Sequence, residues 1–374
     1  MNNKKKALFI TDEDLSLNTG GVIYVRQVIH ALSDCFYNVK VFSVNSEYQE
    51  YSIKRTLVRD ITSRLIFHPS VSVFSVFKVL RCLSDVNEVY FHSGKHWFLL
   101  LLINLFYKNI KVTCISDNIE FDLFSINERS SFARRAVNLV EKGIRFVSES
   151  LSYRLSDKVT FITNDDFGRA CEIYRLNRER NILPISVPLR NNLFSKKTFE
   201  TGLFTGSFAF KPNYEALSIL LKQYLNLKKF GVKVIVSGYK LSDVVSKNQM
   251  KEYADVFIFV CSPDKEKMNE IFQDSDFFIS PVISGSGMKT KVAESLSYGL
   301  PVLGTTHSFI GYSKALETNS RWLRFLGDGC ENLVEEIVYF RNNNYTFKDF
   351  KELREIQENE YSFNSIKDNL VGGL

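Results

Sequence analysis

A glycine loop followed by two lysines and a glutamate is the part of this sequence best suited to chemistry. Gly285–Gly287 come after a short apolar run, and Lys289, Lys291 and Glu294 follow on a predicted helix. The free N–H groups at a helix start form an anion site together with the helix dipole, and the lysines add positive charge. The carboxylate of Glu294 can accept hydrogen bonds from hydroxyl groups. The spacing therefore predicts a site for a phosphate beside a ribose.

A segment with a purely structural role can show the same pattern of glycines, lysines and glutamate. In that interpretation the glycines form an ordinary loop, and Lys291 and Glu294 are a surface ion pair at helical spacing. Glycine-rich loops alone are weak evidence for a ligand, so the residues by themselves leave both interpretations open.

A parallel sheet has to position this segment. Short apolar runs rich in β-branched residues alternate with helical patterns such as Val22–Leu32 and Arg129–Leu155. This alternation predicts βαβ units, whose ligand cleft lies at the carboxyl ends of the strands. The first series of predicted strands is Ala7–Thr11, Val39–Val44, Glu88–Phe91, Lys111–Ile115 and Val159–Thr163.

Pro184 and Pro188 interrupt the alternation, which predicts a linker between two domains. The second series of strands is Gly202–Gly206, Lys233–Val236, Val256–Phe259, Phe277–Ser280 and Pro301–Gly304. Its predicted helices are Asn213–Leu227, Lys265–Gln273, Met288–Tyr298 and Asn332–Phe340. We therefore expect an N-terminal Rossmann-like domain over residues 1–185 and a second over 186–350. Residues 351–374 are expected to form a helical segment that packs back across both domains.

Composition favours a soluble globular protein of the cytoplasm. The chain has 374 residues, of which 45% are hydrophobic and 24% charged. Its longest apolar run, Trp97–Tyr107, is too short to span a bilayer and predicts a buried helix. The apolar run at the N-terminus is likewise too short for a signal peptide. The six cysteines and five histidines are scattered without metal-ligand spacing, so we expect a reducing compartment and no structural metal.

Positive charge is concentrated in one predicted helix. Arg129–Lys158 holds seven basic and three acidic residues, whereas the whole chain has a net charge of +6. This density suits an anionic membrane or a polyanionic substrate, and no nucleic-acid-binding motif is present. We expect the apolar stripe of this helix, which includes Val137, Val140 and Ile144, to pack on the first domain.

Several segments together resemble a known family. Gly285–Val302 resembles the donor-binding signature of retaining GT-B glycosyltransferases of family 4, in the variant G-x-G-x-K-x-K-x-x-E followed by G-x-P-V. Asn18–Gly21 resemble the family's first glycine loop, Phe204–Phe208 the start of its second domain, and Ser116–Glu120 its "HNxE" segment. Tyr361–Phe363 resemble the aromatic spot where the chain crosses back. The resemblance covers nearly the whole chain and implies two doubly wound Rossmann-like domains with the active site in the cleft between them.

The resemblance also implies roles for individual residues. It places the donor nucleotide-sugar mainly on the second domain and the acceptor on the first. Glu294 matches the glutamate that binds the nucleotide ribose. Ser207 and Lys211 lie where many members place an Arg/Lys pair on the diphosphate, and the lysine is the residue retained, one position short of the usual spacing. The further positions matching donor-binding motifs are Gly285, Ser286, Gly287, Met288, Thr290, Lys291, Gly20 and Gly21.

Two positions depart from the common family pattern. Ser286 replaces the first donor glutamate, as it does throughout the G-x-G-x-K variant. Asp117 replaces the histidine of the "HNxE" segment. An aspartate there can accept a proton or a hydroxyl hydrogen bond, but it can equally cap a turn, and both roles stay open. His92 and His96 are nearby alternatives. We predict catalytic roles for Asp117 and for the lysines at positions 289 and 211.

The implied reaction is transfer of a hexosyl or deoxyhexosyl group to an acceptor hydroxyl, with retention at the anomeric carbon. The leaving diphosphate takes the acceptor proton, while helix-start amides, Lys289 and Lys211 stabilise its charge. No cofactor or metal is expected. The family setting indicates bacterial surface polysaccharide assembly, such as O-antigen or capsule, on a glycan or lipid-linked acceptor. The protein is then cytoplasmic or peripheral at the inner face of the membrane. The alternatives are a catalytically impaired GT-B partner protein and a sugar-nucleotide epimerase.

Overall fold

The chain folds into two compact units. The structure is a computed structural model that describes residues 6–17, 20–36, 38–44, 52–65, 68–123, 132–285 and 287–371. Four residues that carry predictions, Asn18, Thr19, Arg129 and Ser286, lie outside this described part. The first unit consists of Met1–Pro184 and Ile366–Leu374, and the second consists of Ile185–Ser365.

The first unit is a parallel six-stranded sheet with helices between its strands. The strands are β1 (Lys6–Asp14), β2 (Asn38–Val44), β3 (Ser52–Ile53), β4 (Glu88–His92), β5 (Lys111–Ser116) and β6 (Lys158–Phe161). The helices are α1 (Gly20–Cys35), α2 (Leu57–Leu65), α3 (Val76–Cys82), α4 (Trp97–Phe106), α5 (Glu120–Leu123), α6 (Phe132–Leu155) and α7 (Asn164–Tyr174). The spatial order β3-β2-β1-β4-β5-β6 reverses direction between β1 and β4, and such a reversal is where doubly wound sheets bind ligands.

The second unit repeats this architecture. Its strands are β7 (Thr201–Thr205), β8 (Lys233–Gly238), β9 (Phe257–Cys261), β10 (Phe277–Ser280), β11 (Val302–Thr305) and β12 (Leu323–Leu326). Its first helices are α8 (Lys211–Leu221), α9 (Tyr224–Lys229), α10 (Leu241–Val244), α11 (Lys247–Glu252) and α12 (Lys265–Asp274). They are followed by α13 (Thr290–Ser297), α14 (Ser313–Thr318), α15 (Leu333–Asn342) and α16 (Phe347–Tyr361). The order β12-β11-β10-β7-β8-β9 reverses between β7 and β10.

Helix α16 fixes α13, which carries the predicted donor residues. Gly299 ends α13 with φ +67°, and a Cβ atom there would lie 2.3 Å from the ring of Phe350 on α16. Only glycine therefore allows this close approach. The N-terminus of α16 is closed by a capping box between Thr346 and Asp349, and the same aspartate accepts a hydrogen bond from the indole of Trp322 at 2.8 Å. The last helix, α17 (Phe363–Val371), ends in the segment that belongs to the first unit.

These two parallel sheets confirm the predicted pair of Rossmann-like domains. Several elements were not predicted, namely β3, β12, α2, α3, α5, α7, α10, α11 and α14. The predicted helix Asn213–Leu227 is two helices, α8 and α9, and α13 begins at Thr290 rather than Met288. Lys289 therefore precedes the helix instead of lying in its first turn.

The basic helix α6 also packs differently from the prediction. Ile144 is buried as expected, but Val137 and Val140 are exposed. The buried face carries polar residues instead, including Ser148 and Glu149. Ser148 donates a hydrogen bond to the carbonyl of Gly94, which brings the turn after β4 directly onto α6. Among the described residues, no helix is both long and apolar enough to cross a bilayer.

Candidate functional site

The glycine loop of the second unit leaves the carboxyl end of β10 and leads into α13. Gly285 has φ +94° and Gly287 has φ +70°, so both adopt left-handed conformations that favour glycine. The Cα of Gly285 also faces the start of α8, because a Cβ atom there would lie 3.0 Å from Pro212. The loop therefore lies at the reversal point between β7 and β10, where the fold predicts a ligand site.

Side chains hold the loop and the start of α13 in place. The ammonium group of Lys289 donates to the carbonyl oxygens of Gly287 at 2.9 Å and Gly285 at 3.3 Å. Buried Tyr312 donates to the carbonyl of Lys289 at 2.7 Å and accepts from the N–H of Ala293 at 3.0 Å. Positive charge is thus present at the loop. His307 adds a contact to the carbonyl of Gly285, and burial together with Lys289 lowers its pKa.

Glu294 lies between two cations. Its carboxylate accepts from Arg190 at 3.2 Å and from Lys291 at 2.5 Å. The Arg190 guanidinium lies 6.0 Å from the ring centre of Tyr298, and its Nε has no hydrogen-bond partner among the residues that the structure describes. Each oxygen of Glu294 keeps acceptor capacity beyond these contacts, so the carboxylate can receive hydroxyl donors in a fixed orientation.

The remaining predicted donor residues of this unit lie around the same loop. Lys211 is the first residue of α8; its ammonium group is largely exposed and pairs with Glu215 at 3.2 Å. The hydroxyl of Ser284 donates to the same glutamate at 3.1 Å. Ser207 is half-buried, and Thr290 is the first residue of α13. The side chain of Met288 is buried, and Ser286 lies outside the described residues.

In the first unit, Asp117 follows β5 and lies next to a histidine. Its carboxylate is 3.4 Å from Nε2 of His92, and Nδ1 of that histidine is 3.0 Å from the hydroxyl of Thr11. Burial alone would raise the pKa of Asp117, but His92 and Lys95 lower it by more, so the group is ionised at neutral pH. The three polar groups stand at the carboxyl ends of the neighbouring strands β1, β4 and β5.

The predicted glycine pair borders this carboxylate. Gly20 and Gly21 begin α1, and a Cβ atom on Gly21 would lie 3.7 Å from Asp117. Asn118 donates to the same carboxylate at 3.2 Å. The alternative candidate, His96, is buried 2.8 Å from the hydroxyl of Ser72; burial and Lys95 lower its pKa to about 3, so it stays neutral.

A network of buried charges adjoins Asp117. Glu120 pairs with Lys95 at 2.8 Å and with Arg145 at 3.3 Å. The Arg145 guanidinium also lies 3.8 Å from Glu141, which contacts Arg64 on α2. These charges border a cavity of about 430 Å³ lined by Asp12, Glu13, Asp14, Leu17, Val44, Arg55, Arg64, Pro69, Lys95 and Arg145. Alternating cations and carboxylates of this kind can exchange hydrogen bonds with a polyhydroxyl ligand.

Glu149 on α6 holds the loop that contains Asp117. Its carboxylate accepts from the N–H groups of Glu120 at 2.9 Å and Phe121 at 3.0 Å. It also accepts from the hydroxyls of Tyr153 at 3.0 Å and Tyr174 at 2.5 Å. Burial raises its pKa to about 7, although these hydrogen bonds oppose the rise. Glu149 is thus saturated by protein groups and positions the site without facing a ligand.

Comparisons with known proteins agree with this fold. Residues 200–343 match the family model for glycosyl transferases group 1. The fold resembles sucrose-phosphate synthase from Thermosynechococcus elongatus, with a TM-score of 0.66 and 14% identity over 98% of this chain and 97% of that one. It also resembles the lipopolysaccharide outer core galactosyltransferase WaaB, with a TM-score of 0.65 and 11% identity over 99% and 100%.

A third solved structure, the catalytic domain of starch synthase IV from Arabidopsis thaliana, aligns with a TM-score of 0.61 and 10% identity over 98% of both chains. No curated protein matches the sequence. The fold is the GT-B fold, built from two Rossmann-like units. More particularly, residues 200–343 of its second unit match the model of glycosyl transferases group 1, in agreement with the family resemblance recognised in the sequence.

Sequence reasoning missed Arg190, His307 and Tyr312 in the second unit and Arg64 in the first. Arg190 lies in the linker that the two prolines marked, where no helical or strand pattern draws attention to a charged residue. Its ion pair with Glu294 joins positions 104 residues apart. No local spacing could reveal such a contact.

Proposed function

We propose that this protein is a retaining glycosyltransferase that moves a hexosyl or deoxyhexosyl group from a nucleoside-diphosphate sugar to an acceptor hydroxyl. The observation that carries the proposal is the geometry around α13. A left-handed glycine loop opens the helix, and Glu294 is oriented by Arg190 and Lys291. This arrangement suits a diphosphate at the helix start and a ribose at the carboxylate.

The chemistry assigned to the loop is electrostatic. The bond between the anomeric carbon and the diphosphate oxygen breaks, and a bond to the acceptor oxygen forms on the same face of the sugar. The acceptor proton passes to the leaving diphosphate oxygen. Amides at the start of α13, with Lys289 and Lys211, stabilise the charge that develops on the diphosphate. No metal or cofactor takes part in this proposal.

We assign binding of the acceptor to the first unit. Asp117, whose carboxylate lies 3.4 Å from Nε2 of His92, is available to accept a hydrogen bond from an acceptor hydroxyl. The cavity beside Lys95 and Arg145 offers both donors and acceptors to a glycan. The structural likeness to an outer-core lipopolysaccharide galactosyltransferase favours a role in bacterial surface polysaccharide assembly, such as O-antigen or capsule, on a glycan or lipid-linked acceptor at the cytoplasmic face of the membrane.

A turnover assay with a panel of nucleotide sugars tests this proposal. We expect one donor to release its nucleoside diphosphate in the presence of a glycan acceptor, and the product to keep the donor's anomeric configuration by NMR. Isomerisation of the free sugar nucleotide would instead identify an epimerase. Binding without turnover would identify an inactive GT-B partner protein. Inversion at the anomeric carbon would contradict the retaining mechanism.

A further inference from the structure

Helix α2 has its apolar face outward. Leu57, Val58, Ile61 and Leu65 are 75%, 73%, 53% and 75% exposed. At 3.6 residues per turn these four side chains share one face of the helix. In a water-soluble protein an amphipathic helix normally buries such a face, so this arrangement is the reverse of the usual one.

The polar face of α2 is the one that contacts the protein. Ser63 is buried and donates to the carbonyl of Asp60 at 3.0 Å. Arg64 contacts Glu141 on α6 and donates to the same carbonyl at 2.8 Å. The two bonds to Asp60 lie within α2, and the ion pair between Arg64 and Glu141 connects the polar face of the helix to α6. Because the polar face of α2 is directed toward the protein, the apolar face of the helix is directed outward.

Neighbouring elements carry further exposed apolar side chains. Phe74 and Phe77, in the segment after α2, are exposed, and the guanidinium of Arg59 lies 5.5 Å from the ring centre of Phe74. Exposed Val137 and Val140 of α6 lie within one helical turn of the glutamate that binds α2. We call α2 together with these four side chains the apolar platform.

Basic residues are concentrated in the segment that contains α2, and two of them, Arg55 and Arg64, pair with Asp60 and Glu141. Between residues 52 and 82 the sequence has six basic residues and one acidic residue, a net charge of +5, while the whole chain has only +6. The basic residues are Lys54, Arg55, Arg59, Arg64, Lys78 and Arg81, and the acidic residue is Asp60. The basic helix predicted to contact lipid contributes less than expected, because Arg145 is buried against Glu120.

We propose that the apolar platform docks on the surface of a bilayer that contains anionic lipid. An interfacial helix of this kind inserts its apolar side chains at the level of the headgroups, while the flanking cations bind lipid phosphates. A second copy of this chain is a less suitable partner for the apolar platform, because two such surfaces facing each other would bring like charges together. An anionic bilayer complements both the apolar face and the charge.

The position of the apolar platform connects membrane docking to acceptor binding. Arg55 and Arg64, which flank α2, also line the cavity beside Lys95 and Arg145. A lipid-linked acceptor held in the bilayer would therefore reach the cavity at the edge of the platform. This part of the inference rests on the proposed function, whereas docking itself does not.

Vesicle flotation with the full chain tests the docking. We expect binding to vesicles of phosphatidylcholine with phosphatidylglycerol, weaker binding to phosphatidylcholine alone, and a loss of binding as salt screens the cations. The double variant Leu57→Ser with Leu65→Ser should bind at least about tenfold more weakly, because it removes two inserted side chains. Leu193→Ser with Leu225→Ser is the matched control, since these leucines of the second unit are 84% and 72% exposed.

A second measurement reports insertion directly. The fluorescence of a Val58→Trp variant should be quenched by brominated lipid, while that of a Leu225→Trp variant should not. Equal vesicle binding by the wild type and the α2 double variant would overturn the inference. A wild type that is dimeric in solution and becomes monomeric in the double variant would also overturn it, by making the platform a subunit contact.

Nucleoside-diphosphate binding by the same samples separates this inference from the proposed function. The α2 double variant should keep the wild-type thermal shift with a nucleoside diphosphate, because α2 contains no donor-binding residue. A protein that docks through α2 but never binds a nucleoside diphosphate would refute the proposed function and support the docking. A protein that binds the nucleotide and ignores anionic vesicles would refute the docking alone.

Discussion

The candidate donor site and the charged network of the first unit use carboxylates in opposite ways. Glu294 meets two cations and keeps acceptor capacity for a ligand, close to a loop whose shape depends on glycine. Glu120 is buried between Lys95 and Arg145 and serves to neutralise them. The first arrangement depends mainly on local backbone geometry, and the second depends on charges drawn from several elements. Loss of a carboxylate should therefore affect ligand binding in one unit and folding in the other.

The largest effect is expected from Glu120→Ala. The substitution leaves two buried cations without their shared partner, which typically costs about 3–5 kcal/mol of folding free energy. Hydrogen exchange in urea, followed on peptides of the first unit, measures this loss. Asp85→Ala is the control, because its pairs with Lys6 and Lys40 lie at the surface and should contribute about 0–1 kcal/mol. A loss for Glu120→Ala no larger than that of the control would contradict the assigned role.

Glu149 should make the stability of the first unit depend on pH. Its pKa is about 7 in the folded protein, against an ordinary value of 4.5, so the folded state binds more protons between these two values. The contribution is fully present below pH 4.5 and is lost as the pH rises through 7, a change of about 3 kcal/mol. Glu149→Gln should flatten this slope in the same exchange experiment.

Glu172→Gln provides the comparison for the pH experiment, since Glu172 forms an exposed pair with Arg169 on α7. That variant should keep the slope of the wild type. If both variants show the wild-type slope, the proton uptake belongs to another group.

The substitution Lys289→Ala tests the role of the lysine at the donor-site glycine loop. We expect turnover to fall by about 10²-fold while nucleotide binding falls less, because charge on the diphosphate grows in the transition state. Single-turnover kinetics with a saturating donor separates the two effects. Lys291→Ala is the companion variant, since that lysine is held by Glu294. Equal losses in nucleotide binding and in turnover for Lys289→Ala would refute the role of Lys289 in the transition state. A larger loss of turnover in Lys291→Ala than in Lys289→Ala would assign that role to Lys291.

The smallest expected effect is that of metal chelation. The sequence has no cysteine or histidine pattern with metal-ligand spacing, and the proposed charge stabilisation uses amides and lysines. Transfer should therefore proceed at the same rate in EDTA. A rate that EDTA abolishes and that added magnesium or manganese restores would show that a metal carries part of this charge.

The difference between local backbone geometry and contacts drawn from several elements also explains how much of the structure the sequence could predict. Strand and helix patterns repeat locally, so the two doubly wound sheets and the glycine loop were predictable from periodicity and motif. Short elements such as β3 and α2 were not, because two strand residues show no alternation and nine residues are fewer than the usual window in which helical periodicity is recognised. The pairs Arg64–Glu141 and Arg190–Glu294 join distant positions, and only the folded chain brings them together.

Titration calorimetry of the donor site tests the central claim most directly, that Glu294 receives the ribose of a nucleoside diphosphate. Glu294→Ala should weaken nucleoside-diphosphate binding by about 1.5–3 kcal/mol, because it removes a charged hydrogen-bond acceptor. Binding of inorganic diphosphate, which has no ribose, should not weaken, since the amides at the start of α13, Lys289 and Lys211 remain. Glu270→Ala, which breaks an exposed pair with Lys267, should change neither affinity. Unchanged nucleoside-diphosphate affinity in Glu294→Ala, or an equal loss for both ligands, would contradict the account.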